Sequence, residues 1–237
     1  MKKIIWSGYE WITQERWGQF HPEKPFVYYD DSCVEINEDF SISLYTKRNP
    51  KEFFGKIVEF GIGLISNTTK FSHGYFEIEA KLPTGKYLWP AFWMWSFDNW
   101  PPEIDVFEGY SNFFGNYINI FNDIKFWNIY NIQTNLYFEN LNGFNRINSI
   151  KSKKHYISIF KKPPNKRFIK YGVDWQKDYI KFYYDNKLVR TITEKHILYQ
   201  LNETTMNVII NNSLYKPTEN PESEFIIKYF RYSEKKN

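Results

Sequence analysis

The chain has 237 residues, 42% hydrophobic and 21% aromatic, with 31 basic and 27 acidic side chains and a net charge of +4. So even a balance excludes nucleic acid as a partner unless a dense basic patch forms, and no window approaches the ~18 apolar residues of a membrane span. The length suits a single β-sandwich domain, 1–237, and the surplus of rings (9 Trp, 19 Tyr, 22 Phe) suits sheets with an aromatic-paved binding face.

In chain order, the basic start Met1-Lys2-Lys3 is not followed by the apolar run of an export signal. A removed leader, another export route or release by lysis would each account for that. Cys33 is the single cysteine, so no intrachain disulfide forms, and its neighbours give it a buried packing role. From Tyr75 to Leu82, Phe76, Ile78, Ala80 and Leu82 share one face and Tyr75, Glu77, Glu79 and Lys81 the other, the pattern of a half-buried strand. The run Trp89 to Trp95 is apolar on both faces, as an inner strand would be. Further on, Tyr179 to Tyr184 and Lys187 to Ile192 flank Asp185-Asn186, a dipeptide that tolerates positive φ and marks a tight hairpin. Short strands separated by regular turn signals predict an all-β antiparallel sandwich. Between them lies a basic run, Lys151, Lys153, Lys154, Lys161, Lys162, Lys166, Arg167 and Lys170, read as a solvated loop or a contact for an anionic polymer such as a sulfated galactan.

The chemistry concentrates in Glu103-Ile104-Asp105-Val106-Phe107-Glu108. Even one unpaired buried carboxylate costs several kcal/mol, so three in a β-prone, otherwise apolar stretch require a reason. Strand alternation puts Glu103 and Asp105 on one face and Glu108 on the other. A β-bulge at Val106-Phe107 would add one residue, restore the parity and bring Glu108 round to join them. Crowded carboxyls cannot all ionise, and an ionised acid facing a protonated one can cleave a glycosidic bond. The α-carbons of the outer pair would stand about 13 Å apart, so strand curvature and long side chains must close the gap to about 5 Å. Upstream, Trp89, Trp93, Trp95 and Trp100 fall within twelve residues; sugar faces stack on such rings, although part of the set is expected to fill the core. A metal site is the alternative use of an acid cluster, but these acids lack the oxygen-rich, glycine-turned loop of a calcium site.

The stretch from Ser72 to Gly109, with Ser-His-Gly-Tyr-Phe-Glu-Ile-Glu-Ala-Lys-Leu-Pro, Leu-Trp-Pro-Ala-Phe-Trp-Met and Pro-Glu-Ile-Asp-Val-Phe-Glu-Gly, resembles glycoside hydrolase family 16 in its bulged, laminarinase- and galactanase-like form. Weaker similarity covers Trp6 to Trp17, Tyr171 to Arg190, Met206 to Asn211 and Ile226 to Tyr232. The resemblance implies a concanavalin-like β-jelly roll of two curved antiparallel sheets. It also implies retaining endo-hydrolysis of a polysaccharide, a β-glucan such as laminarin or a galactan such as agar, porphyran or carrageenan, by a monomeric catalytic unit without cofactor. Glu103 would be the nucleophile, Glu108 the general acid/base and Asp105 the residue that tunes the nucleophile. Trp93, Trp89, Trp100 and Tyr110 would line the cleft, with Asn119 and Tyr137 on the following strands, Tyr137 standing where many members place a His near the acid/base. Glu79 stands where many members carry a substrate-binding Arg. Lys228 stands at the position of a structural-calcium Asp, where an ammonium would repel a cation, so no metal is expected. A lectin-like binding module and a transglycosylase are the alternatives.

Overall fold

The structure is a computed structural model and describes residues 1–19, 24–98, 100–112, 115, 117, 132–139, 148–150, 153–155 and 163–236. Its strands are β1 (Lys3–Trp6), β2 (Tyr9–Ile12), β3 (Val27–Tyr29), β4 (Val34–Ile36), β5 (Ile42–Phe53), β6 (Lys56–Asn67), β7 (Gly74–Lys81), β8 (Leu88–Trp95) and β9 (Glu103–Gly109). They continue as β10 (Ile132–Glu139), β11 (Asn148–Ile150), β12 (Lys153–His155), β13 (Ile169–Gln176), β14 (Tyr179–Tyr184), β15 (Lys187–Ile192), β16 (Asn207–Leu214) and β17 (Ser223–Ser233). A helix, α1 (Lys195–Asn202), joins β15 to β16. Among the described residues no helix is long and apolar enough to cross a membrane.

One sheet runs β1-β2-β6-β16-β8-β9-β10, with β11 and β12 along the free side of β10. The second runs β4-β5-β17-β7-β13-β14-β15. Pairing is antiparallel throughout except for β3, which lies parallel to β6. β6 belongs to both sheets: Lys56 to Ile62 pair with β5, and Gly63 to Ser66 pair with β16. Gly63 sits at this crossing, where a Cβ would meet the Cys33 carbonyl oxygen at 2.4 Å and the Leu44 Cα at 3.0 Å. Only a residue without a side chain fits there.

The core lies between the sheets. Phe92 and Met94 of β8 and Ile104, Val106 and Phe107 of β9 face Tyr171, Val173, Phe182 and Phe225 of the second sheet. Phe107 packs on Tyr171 at 4.3 Å and edge-on to Phe225 at 6.1 Å; burying such a ring contributes about 1.5–3 kcal/mol. The hairpin forms where expected, with Asp185 and Asn186 at φ 53° and 63°. Cys33 is buried and free. β7 departs from the half-buried pattern, because its second face is also closed. Glu77, 1% exposed, accepts hydrogen bonds from Tyr75, Tyr229 and Arg231 on neighbouring positions of that face. Paired in this way, a carboxylate can be buried without the cost that makes the residue type a surface signal.

Candidate active site

The three acids lie on β9, and their placement follows from a single irregularity in its pairing. Against β8, Glu108 stands opposite Ala91 and Phe107 opposite Phe92, but Trp93 is opposite Asp105 and Trp95 opposite Glu103. Against β10, Glu108 pairs with Gln133 and Asp105 with Asn135. Both neighbours take two steps where β9 takes three, so Val106 is an extra residue. Val106 and Phe107 both enter the core, and Glu103, Asp105 and Glu108 share the opposite face. The bulge is braced from across the core, where the Tyr184 hydroxyl donates to the Val106 carbonyl at 3.0 Å. This bond satisfies a backbone group in the part of the strand where the ladder shifts.

Donors converge on both outer acids. Glu108 Oε1 accepts from Trp89 Nε1 at 2.7 Å and from the Tyr110 hydroxyl at 2.9 Å, and its Oε2 accepts from Asn135 Nδ2. Glu103 Oε2 accepts from Trp100 Nε1 at 2.7 Å. Asp105 is 2% exposed and Glu108 5%. Burial is the largest influence on all three and raises each. Glu103 is pushed up to about 7, against the pull of its hydrogen bonds from Trp100 and Asp105. Asp105 is held well above the usual carboxylate range by burial and by the charges of Glu108 and Glu103. Glu108 is raised by burial, opposed by hydrogen bonds from Tyr110, Trp89 and Gln133. The arrangement raises all three acids while offering each outer carboxylate aligned donors, the equipment for general acid/base and nucleophilic work.

A family model described as Glycosyl hydrolases family 16 matches residues 23–230. The chain belongs to glycosyl hydrolase family 16. Over 56 residues it is 43% identical to a glucan endo-1,3-beta-glucosidase of Cryptopygus antarcticus, a match covering 21% of each protein. Over 48 residues it is 44% identical to a beta-1,3-glucan-binding protein of Penaeus monodon, covering 18% of this chain and 13% of that protein. The chain spans between 10% and 21% of the length of the curated relatives it matches. Among solved structures it resembles the laminarinase catalytic domain of Thermotoga maritima MSB8, with a TM-score of 0.70 and 18% identity over 93% of this chain and 86% of that one. That likeness establishes the jelly-roll fold.

Set against this family 16 framework, the other residues singled out in the sequence divide. Trp93 is half-buried across from Asp105, its Nε1 donating to Asn211 Oδ1 at 2.9 Å while its ring packs on a second apolar cluster around Ile209 and Tyr29. Trp100 is 45% exposed, at the rim. Trp89 and Tyr110 stack on each other at 5.6 Å, and both bond Glu108. Asn119 and most of the basic run from Lys151 to Lys162 lie outside the described residues. Tyr137 stands opposite Glu103, with its ring 6.1 Å from Trp100, while the Asn135 amide of β10 donates to Glu108. Glu79, which stands where many members carry a substrate-binding Arg, lies on β7 of the second sheet and binds Lys228 at 2.6 Å. Strand alternation in β10 sends Gln133, Asn135 and Tyr137 to one face, a signal that points to Gln133 and Asn135 as well as to Tyr137. Lys24 and Glu15, both close enough to the acids to influence or feel their charge, sit in a segment far from the motif.

Proposed function

We propose that this chain is a retaining endo-glycosidase, one catalytic domain over residues 1–237, that hydrolyses internal β-linkages of a glucan or galactan by double displacement. The observation that carries this reading is the bulge at Val106, which sets three acids on one face beside indole and phenol donors. Glu103 attacks the anomeric carbon while Glu108 protonates the leaving oxygen; Glu108 then takes a proton from water, which releases the sugar from Glu103. These roles follow the order of the acids in the family's motif. Asp105, two residues along the same face from Glu103, tunes the charge on the nucleophile. The names of the relatives support a β-1,3-linked glucan as the first substrate to try.

The test is reducing-end release from laminarin, lichenan, agarose, porphyran and carrageenan by the wild type and by Glu103→Gln. Release from at least one polymer, abolished in a Glu103→Gln protein that still folds, is the expected result. Undiminished turnover in the variant overturns the nucleophile assignment. The match to a glucan-binding protein favours a second reading, a binding module. Retention of the wild type on an insoluble glucan, with no sugar released from any polymer, would establish it. Lengthening of oligosaccharides during incubation would instead mark a transglycosylase.

A further inference from the structure

Trp89 is positioned as a cleft aromatic, yet its ring is not an open platform for sugar. The Lys24 ammonium lies over it, Nζ 3.0 Å from the ring centroid, and Tyr110 stacks on it at 5.6 Å with 22° between the planes. The edge of the same indole donates to Glu108 Oε1 at 2.7 Å. A cation on an indole face draws density from the ring, which makes the N–H a stronger donor and holds the ring in place. We propose that Lys24 is a positioning residue of this active site: seated on Trp89, its ammonium holds the indole N–H against Glu108 and sets positive charge beside the acid row. The proposal rests on the hydrolase reading for its effect on turnover, but not for its effect on Glu108 itself.

Other groups share the same field. Glu108 is faced by Trp89 from β8, Tyr110 just beyond β9, Gln133 and Asn135 from β10, and the carboxyls of Glu103 and Asp105. Glu103 is faced by Trp100, Asp105, Tyr137 from β10 and Glu15 from the segment after β2. Arg190 of β15 acts on Asp105 from the core side, where its guanidinium binds Thr134. Lys24 favours the ionised form of both Glu103 and Glu108. Against three carboxyls raised by burial, the Lys24 ammonium opposes that rise on the outer pair.

The experiment is a pH titration of the Trp89 indole N–H resonance in the full chain, with Trp89→Phe used for assignment, in wild type, Lys24→Met and Lys24→Arg. The expected result is a titration midpoint for that resonance that moves up in Lys24→Met and returns toward wild type in Lys24→Arg. In parallel the acid limb of kcat/KM should move up by about 0.5 to 1 pH unit in Lys24→Met. A midpoint unchanged in Lys24→Met, or moved equally in Lys24→Arg, overturns the proposal. A wild type that releases no sugar overturns the hydrolase reading and leaves the resonance titration to decide on Lys24. Should Lys24→Met fold poorly by thermal melt, Lys24→Gln replaces it in the same titration.

Discussion

Replacing Tyr184 by Phe removes one oxygen from the core and tests how the acid row is held. The hydroxyl donates to the Val106 carbonyl at 3.0 Å across the interface between the sheets. Phe fills the same volume, so the contact of residue 184 with Tyr171, now 5.2 Å between rings, is retained. What is lost is the partner of a buried carbonyl at the extra residue of the bulge. Leaving such a group unpaired costs about 1–3 kcal/mol, which for a chain of this size lowers the melting temperature by about 2–4 °C per kcal/mol. Urea unfolding at pH 6, with the m-value checked for constancy, reads the stability. A second effect is expected on catalysis, because Val106 sets the direction of Glu108, and a misplacement of about 1 Å can cost on the order of 100-fold in rate. A stability change within about 0.5 kcal/mol together with unchanged turnover would refute the view that Tyr184 braces the bulge.

Glu15 is 1% exposed, and burial pushes it up to about 8. The folded protein therefore keeps the proton that the unfolded chain releases near the ordinary glutamate value, and stability falls as pH rises from that value towards about 8. Glu15→Gln should remove that slope, gaining on wild type by about 1 kcal/mol per pH unit between pH 5 and 8 in denaturant unfolding; parallel pH profiles would contradict it. Gly63→Ala should destabilise by more than about 2 kcal/mol, because the atoms its Cβ meets, the Cys33 carbonyl and the Leu44 Cα, are backbone. A melting temperature within about 2 °C of wild type would show that the β6 crossing yields more easily than its geometry implies.

The part of this site that was legible in the sequence is the part fixed by local periodicity. Three acids whose spacing breaks strand parity demand an extra residue, and the pairing of β9 contains it at the expected place. The Asp185-Asn186 turn and the core face of β7 follow from the same alternation. What alternation cannot show is which sheet a strand joins. Only the pairing of β7 with β17 and β13 puts Glu79 on the second sheet, where it binds Lys228. Nor can alternation show which of Gln133, Asn135 and Tyr137, all on one face of β10, reaches Glu108: Asn135 pairs with Asp105, and its amide donates to Glu108. Lys24 was invisible for a third reason, since a single lysine far from the motif has no pattern until the fold lays it on Trp89.

The most direct measurement of the central claim is covalent trapping. The protein is incubated with a 2-deoxy-2-fluoro glycoside of the sugar that the polymer screen selects, digested, and mapped by mass spectrometry. A glycosyl adduct on the peptide bearing Glu103, localised to that side chain, is the expected result, and Glu103→Gln should show none. An adduct on Glu108 instead, or no adduct together with inverted configuration at the newly released reducing end, would contradict the double displacement built on the three acids of β9.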